Sequence, residues 1–168
     1  MEFEKVIRER KSTRLFSSKE VEQEKIDMIL EAGRIAPTAR NTQPIKIYVV
    51  KSKEGIKKID KCSPCRYKAP VVFIVCADRE KAFRKQEYSS YEMDASIVTT
   101  HMMLEATNIG IDNIWIGMFD EAKVKEEFNI PDNYNVASLL PVGYNSKLCP
   151  PSPFHNKRKS IDELVEYR

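Results

Sequence analysis

The sequence predicts a single domain that mixes α-helices with β-strands, and two observations support this prediction. The chain has 168 residues, of which 42% are hydrophobic and 32% are charged, as expected for one globular domain with a substantial core. Apolar residues recur at helical spacing in some segments and form short β-branched runs in others. The most continuous of these runs, within residues 69–77, predicts a central strand that is buried on both faces.

The order of the elements follows from hydrophobic periodicity and from residues that begin or end helices. Ser17 and Glu20 form a capping-box pattern, which predicts the start of the second helix, and Asp120 is placed to cap the last one. The predicted helices cover residues 2–10, 21–35, 53–62, 92–109 and 121–128. The predicted strands cover residues 45–50, 69–77, 113–119 and 135–142. Later segments are predicted as an exposed, proline-rich crossing over residues 149–153 and a short amphipathic tail over residues 161–167.

The charge balance and the lack of long apolar runs exclude two classes of partner. The 28 basic and 25 acidic residues leave a net charge of +3, which is too balanced for a nucleic-acid-binding surface. No apolar stretch approaches the length of a membrane span, and the N-terminus, residues 1–4, is polar and acidic. We therefore expect a cytoplasmic protein that binds neither nucleic acid nor membrane.

The helix predicted over residues 92–109 is apolar around most of its circumference. Its apolar residues include Met102, Met103 and Leu104, which cannot all lie on one stripe. In so short a chain, such a helix predicts burial against a second subunit. His101, on the same helix, is interpreted as a hydrogen-bonded core or interface residue, because no nucleophile or carboxylate pattern points to it.

The first predicted helix is followed by a basic cluster, Arg8-Glu9-Arg10-Lys11-Ser12-Thr13-Arg14. The residues alone leave two interpretations open. Cations at a helix C-terminus are stabilised by the helix dipole, which would make the cluster structural. Alternatively, the forked donors of Arg10 and Arg14, together with the hydroxyl of Ser12, predict a phosphate site. A second basic cluster, residues 156–159, lies near the C-terminus.

The loop between the second helix and the first strand is rich in polar side chains. Pro37 ends the helix, and Pro44 holds the chain extended before the strand. Between them lie four hydrogen-bonding side chains, those of Thr38, Asn41, Thr42 and Gln43. These groups either bond to the backbone of their own loop, as is common in connections, or donate to an oxygen atom of a bound ligand.

The positions of the cysteines and glycines argue against three common kinds of binding site. Cys62 and Cys65 have the spacing of half a metal site or of a redox pair, but no second pair is present, so we predict no metal centre. The five glycines form neither a dinucleotide-binding fingerprint nor a Walker A loop.

Residues 79–91 are charged and aromatic without clear periodicity, which predicts either a segment that covers a ligand or partly buried surface aromatics.

Five motifs occur in an order that resembles the FMN-dependent nitroreductase family. The first is Arg10-Lys11-Ser12-Thr13-Arg14, and the second is Pro37-Thr38-Ala39-Arg40-Asn41-Thr42-Gln43-Pro44, with threonine in the usual serine position. The other three are Asp94-Ala95-Ser96-Ile97, Trp115-Ile116-Gly117 and the basic residue Arg158. Each motif alone is weak, but five collinear motifs over almost the whole chain are specific.

The resemblance implies an α+β fold, in which helices flank a central, mostly antiparallel β-sheet, and an intertwined homodimer with FMN sites at the interface. It also implies an FMN-dependent NAD(P)H oxidoreductase of the nitroreductase type, with NADH or NADPH as electron donor. Hydride transfer through flavin N5 would reduce a small oxidised acceptor, such as a nitroaromatic or a quinone. The alternative is a non-redox protein of the same fold that binds, stores or cleaves flavin.

The same resemblance implies which residues bind the cofactor. Arg10, Ser12 and Arg158 correspond to phosphate-binding positions, and residues 116–118 would line the flavin ring. Arg14 corresponds to the pyrimidine edge, where a cation stabilises the charge that develops on reduction. The loop of the second motif would reach the flavin of the other subunit. The full set is Arg10, Lys11, Ser12, Arg14, Pro37, Thr38, Ala39, Asn41, Gln43, Ile116, Gly117, Met118 and Arg158. No residue is assigned a catalytic role, because the flavin carries the chemistry.

Overall fold

Five α-helices, one short 3-10 helix (Ala39–Asn41) and six strands build the fold in the computed structural model, which describes residues 1–149 and 152–168. The helices are α1 (Phe3–Glu9), α2 (Gln23–Ile35), α3 (Lys53–Cys62), α4 (Tyr91–Asn108) and α5 (Glu121–Phe128). The strands are β1 (Ile45–Val50), β2 (Val71–Asp78), β3 (Arg84–Lys85), β4 (Tyr88–Ser89), β5 (Asp112–Asn113) and β6 (Tyr134–Gly143). An antiparallel sheet has the strand order β1-β2-β6-β5, and β3 pairs with β4 in a short hairpin. The crossing predicted over residues 149–153 includes residues 150 and 151, which lie outside the described residues.

β2 is the central strand, and its alternating side chains separate two helical layers. All eight of its residues are buried, as the sequence predicts. The side chains of one face pack with α2 and α4, and they are Val71, Phe73, Val75 and Ala77. The side chains of the other face pack with the layer that contains α3 and α5, and they are Val72, Ile74 and Cys76. The predicted α+β fold, with helices flanking a mostly antiparallel sheet, is therefore confirmed.

α2 and α4 pack closely because residue 33 has no side chain. A Cβ atom at Gly33 would lie 2.9 Å from Met102 Cγ and 3.4 Å from Val98 Cγ1. The rest of the chain buries α4 unevenly, since Met102 is fully buried, whereas Met103 and Leu104 are only half-buried.

Within the described residues, no helix combines the length and apolar content that a membrane crossing requires.

The predicted capping box at Ser17 and Glu20 is wrong, and α2 begins later than expected. Its N-cap residue is Glu22, and none of the described side chains caps its first turn. Ser17 instead belongs to an extended segment, in which its N–H donates to the carbonyl of Tyr144 over 2.8 Å. Its hydroxyl accepts only a 3.4 Å bond from the Lys19 amide. The backbone of Ser17 therefore pairs outside α2, which delays the start of the helix.

The strand predicted over residues 113–119 is much shorter than expected, because β5 ends at Asn113. The next residue, Ile114, donates its N–H to the carbonyl of Pro141 in β6 over 3.2 Å. An antiparallel pair of this kind normally has a second hydrogen bond, from the N–H of the opposite residue to the Ile114 carbonyl. Pro141 has no N–H, so this second bond cannot form. Pairing continues only as an isolated bridge at Ile116, after which the chain leaves the sheet.

The two ends of the chain expose apolar side chains. On α1, only Val6 is buried, whereas Phe3 is 70% exposed and Ile7 is also exposed. The predicted amphipathic tail forms a single turn at residues 161–164, and it exposes Ile161 and Leu164. The apolar faces predicted for these segments exist, but the chain does not itself cover them.

Candidate functional site

The segment that follows α1 runs along β5 and presents its side chains alternately to two sides. Ser12 forms a parallel bridge with Asn113, and the Thr13 N–H donates to the Asn113 carbonyl over 3.0 Å. On one side, the Thr13 hydroxyl lies 3.3 Å from Asp112 Oδ1, and Lys11 Nζ lies 3.8 Å from the same oxygen. On the other side lie Ser12 and Arg14. The structure thus directs Lys11, a predicted cofactor residue, toward a carboxylate of its own chain.

Three predicted arginines and the predicted serine meet in one cavity of about 210 Å³, called the arginine cavity below. Arg10, Ser12 and Arg14 reach it from the segment along β5, and Arg158 reaches it from the C-terminal segment. Three further residues of that segment, which the sequence did not single out, complete the lining, and they are Ser152, Phe154 and His155. None of the described residues that line this cavity is acidic.

The cavity concentrates positive charge without balancing it. Burial and the neighbouring guanidinium of Arg158 both lower the pKa of Arg10, and burial is the larger cause. Among the described residues, no carboxylate forms an ion pair with Arg10, Arg14 or Arg158. Arg8, which lies outside the cavity, pairs with Glu4 over 2.9 Å. Of the three arginines, Arg10 is half-buried, whereas Arg14 and Arg158 are exposed. Three arginines without acidic partners beside a hydroxyl suit an anion with several oxygen atoms, such as a phosphate monoester.

Arg14 also lies beside Tyr67, which the sequence analysis missed. Hydrogen bonding with Cys65, followed by burial, raises the pKa of the Tyr67 hydroxyl, and the nearby Arg14 opposes this change. Cys65 Sγ in turn lies 3.9 Å from Met118 Sδ. Tyr67 has a left-handed backbone (φ 54°), and its carbonyl accepts the Phe16 N–H over 2.9 Å. Arg14 is thereby connected to Met118, so two distant predicted segments lie in one region.

Residues 116–118 provide backbone and open space rather than buried side chains. The side chain of Ile116 is buried in the core, and the N–H of Ile116 donates to the Leu139 carbonyl over 2.9 Å. A Cβ atom at Gly117 would meet no atom within 4 Å, and the Met118 side chain is 68% exposed. Ser63 holds this turn, because its hydroxyl donates to the Met118 carbonyl over 2.7 Å. The backbone at Gly117 is therefore open to the approach of a ligand.

In the loop of residues 37–44, part of the polar character has a structural use. The Thr38 hydroxyl accepts the Gln43 N–H over 3.0 Å, and the Thr42 hydroxyl donates to the Ala39 carbonyl over 3.1 Å. The Gln43 side chain donates to the Asn41 carbonyl over 3.4 Å. Asn41 differs, since its exposed side chain has no hydrogen-bond partner among the described residues. Of the four polar side chains, Asn41 is therefore the one that no hydrogen bond among the described residues occupies.

One chain holds this loop and the arginine cavity at diagonally opposite corners of the sheet. The loop leads into Ile45 of β1, which aligns through β2 with Asn135 at the start of β6. Ser12 lies beside β5, which pairs with Val142 near the end of β6. The two places are separated by about 24 Å along the strands and, over the four strand spacings from β1 to Ser12, by about 19 Å across them. A single small ligand cannot bridge both within one chain.

The cysteines do not form a metal site in the part of the chain that the structure describes. No group of three potential ligands from His, Cys, Asp and Glu occurs there. The Cys62 thiol is buried and donates to the Lys58 carbonyl over 3.2 Å. Burial raises the pKa of the Cys76 thiol to about 12, which keeps it protonated and chemically inert.

Comparison with known proteins identifies the family. The profile of the Nitroreductase family matches residues 7–65 and 60–144. The chain belongs to the Nitroreductase family. A nitroreductase family protein from Clostridium difficile 630 is 37% identical, with a TM-score of 0.93, over 99% of this chain and 98% of that one. A protein of Archaeoglobus fulgidus, provisionally named NADH dehydrogenase/NAD(P)H nitroreductase, is 31% identical over 83% of each chain.

Membership of the Nitroreductase family confirms the resemblance predicted from the five motifs. A further member is the FMN-dependent nitroreductase from Clostridium difficile R20291, which is 26% identical with a TM-score of 0.76. The match covers 96% of this chain and 94% of that enzyme. Four of the residues predicted to bind the cofactor, Arg10, Ser12, Arg14 and Arg158, line the arginine cavity, whereas Lys11 points toward Asp112.

Proposed function

We propose that this chain is an FMN-dependent NAD(P)H oxidoreductase that reduces a small oxidised acceptor, such as a nitroaromatic or a quinone. The observation that carries the proposal is the cavity in which Arg10, Ser12 and Arg158 converge without an acidic neighbour. FMN ends in a phosphate, and a phosphate dianion satisfies the charge that these guanidinium groups leave unpaired. The FMN-dependent relative from Clostridium difficile R20291 supports this choice of anion.

The residues present suit three parts of FMN, which are its phosphate, the pyrimidine edge of its ring and the ring face. Arg10, Ser12 and Arg158 would hold the phosphate, and Arg14 would face the pyrimidine edge of the ring. The exposed backbone at Gly117 leaves room for the ring itself. When bound, FMN supplies hydride transfer between a nicotinamide and the acceptor. The chain's own contribution is then to bind and orient the cofactor, and Arg14 stabilises negative charge at the edge it faces.

The proposed active form is a homodimer in which two chains complete each site. Arg10 and Asn41 lie at opposite corners of one chain, so a ligand that needs both requires a second copy. The exposed apolar side chains of α1 and of the C-terminal segment provide surface for such a copy. The half-buried Met103 and Leu104 of α4 provide more. The loop of one chain would thereby contact the flavin held by its partner.

Anaerobic reduction tests the redox function directly. Protein loaded with FMN is mixed with excess NADH or NADPH in the absence of oxygen, and the absorbance of oxidised flavin near its visible maximum is followed. We expect at least one nicotinamide to bleach the flavin and a quinone or nitroaromatic to restore the colour. If neither nicotinamide reduces bound FMN, the non-redox alternative replaces this proposal.

A further inference from the structure

A buried carboxylate links the loop of residues 37–44 to α4. Asp94 lies in the first turn of α4 and is only 1% exposed. Its Oδ1 accepts the Ala39 N–H over 2.7 Å, and its Oδ2 accepts the Ser90 hydroxyl over 2.7 Å. Within the described part of the chain, Asp94 has no cationic partner. Two neutral donors and the positive end of the helix dipole therefore hold this group.

The loop depends on this link because its backbone conformation is unfavourable. Arg40, Asn41 and Gln43 are not glycines, yet their φ angles are 53°, 55° and 48°. Ala39 begins the short turn that contains Arg40 and Asn41, and the preceding Thr38 does not cap it. The Thr38 hydroxyl is occupied by the Gln43 amide. Asp94 thus takes the capping role from 55 residues away in the sequence.

The same carboxylate also connects the loop to the β3–β4 hairpin. Ser90, whose hydroxyl donates to Asp94, donates its N–H to the Phe83 carbonyl over 2.9 Å. The Arg40 guanidinium lies 5.7 Å from the centre of the Phe83 ring, which gives a second contact between loop and hairpin. The hairpin carries the exposed Tyr88, so an aromatic surface is held beside the loop.

We propose that Asp94 is a positioning residue for flavin binding in the partner subunit. By holding the Ala39 amide, it fixes the strained turn that presents Asn41, and by holding Ser90 it keeps the hairpin beside that turn. The inference rests on the proposed function, because it requires the loop to reach the partner's flavin. Since the loop faces the ring and not the phosphate, loss of Asp94 weakens FMN and riboflavin binding alike, each by about tenfold.

Heterodimers of differently tagged chains test this assignment. Chains with Asp94→Ala are paired either with Arg10→Ala chains or with Asn41→Ala chains, and the FMN content of each purified heterodimer is measured. With Arg10→Ala, one of the two sites keeps an intact cavity and an intact loop, so we expect up to half the wild-type content. With Asn41→Ala, each site has one damaged loop, so we expect no gain over the parental homodimers. Equal contents in these two heterodimers overturn the inference if the pairing of Arg10→Ala with Asn41→Ala chains recovers flavin.

Two further variants separate positioning from general destabilisation. Asp94→Asn keeps an oxygen acceptor toward Ala39 and can still bond to Ser90, so we expect it to retain most of the flavin. Thr99→Val is a matched control, because Thr99 is buried on the same helix but bonds to Ser138 and Ala95 instead of the loop. If Thr99→Val loses flavin as severely as Asp94→Ala, the effect belongs to α4 as a whole and the inference fails.

The pairing of Arg10→Ala with Asn41→Ala chains reports separately on the shared site. If this pair recovers flavin while the two Asp94→Ala pairs behave alike, the shared site stands and the role of Asp94 fails. If no pair recovers flavin, the shared-site proposal is wrong. Hydrogen exchange in FMN-free protein then tests by itself whether Asp94 holds the loop. We expect the Ala39 amide to exchange about tenfold faster in Asp94→Ala than in wild type or Asp94→Asn. Unchanged exchange at Ala39 overturns the inference whatever the flavin result.

Discussion

Replacing Arg10 by alanine should weaken the binding of FMN while sparing riboflavin. A charge-assisted hydrogen bond contributes about 1.5–3 kcal/mol when its site is desolvated. Arg10 is only half-buried, and its removal relieves the repulsion from Arg158 in the free protein. Both effects favour the lower end of the range, so we expect a loss of about 1.5 kcal/mol, or a Kd raised about tenfold. Riboflavin lacks the phosphate, so its Kd should not change.

Titration of both flavins, followed by the quenching of flavin fluorescence, measures the two Kd values. Arg8→Ala is the matched control, because Arg8 is an exposed arginine two positions away that pairs with Glu4 and does not line the cavity. Arg8→Ala should leave both Kd values unchanged. Added salt should weaken FMN binding in wild type more than in Arg10→Ala, since one charge contact is already missing there. Equal losses of FMN and riboflavin in Arg10→Ala would refute the assignment of Arg10 to the phosphate.

Three further predictions concern assembly, cysteines and packing. Leu104 is half-buried on α4 and is no proposed ligand, yet we expect the Leu104→Glu variant to be a monomer without bound flavin. Size-exclusion chromatography with absorbance detection measures both properties, and a flavin-loaded monomer would contradict the shared site. Replacing Cys62 and Cys65 by serine should leave FMN content nearly unchanged, and stoichiometric zinc or iron in wild type by metal analysis would contradict the absence of a metal role. Gly33→Val should lower the free energy of unfolding by about 1–3 kcal/mol in thermal denaturation, because its Cβ would lie 2.9 Å from Met102 Cγ; Gly117→Ala, with nothing within 4 Å, is the control for an added side chain.

The sequence predicts the regular elements well where a local pattern determines them. β2 is uninterrupted and apolar, and α3 covers residues 53–62 as its apolar spacing predicts. The structure adds a local cap, because the Ser52 hydroxyl accepts the Gly55 N–H over 3.0 Å. The strand beyond Asn113 fails because the cause lies elsewhere in the chain. Pro141 stands opposite it on β6, and no property of residues 113–119 indicates that pairing. The capping box fails for the same kind of reason, because Ser17 pairs with Tyr144.

The candidate site shows the same division. The chemistry of Arg10, Ser12, Arg14 and Arg158 is visible in the sequence, and the structure places all four around one cavity. Lys11 belongs to the same motif, but the alternation of an extended chain turns it toward Asp112, which the motif alone does not reveal. The sequence did not indicate a role for Tyr67, because its contact with Arg14 depends on a left-handed turn in a segment without a motif.

The separation of the two halves of the proposed site has a thermodynamic consequence for assembly. Arg10, Arg14 and Arg158 lack acidic partners in the described chain, so an anion stabilises the folded chain that binds it. Asn41 and the Ala39 turn lie at the far corner, where Asp94 holds them. A cofactor that contacts both corners must bind the dimer more tightly than the monomer. By reciprocity, it stabilises the dimer by the same free energy. The proposed shared site therefore predicts that cofactor binding and dimer formation are coupled, through the distance between Arg10 and Asn41 in one chain.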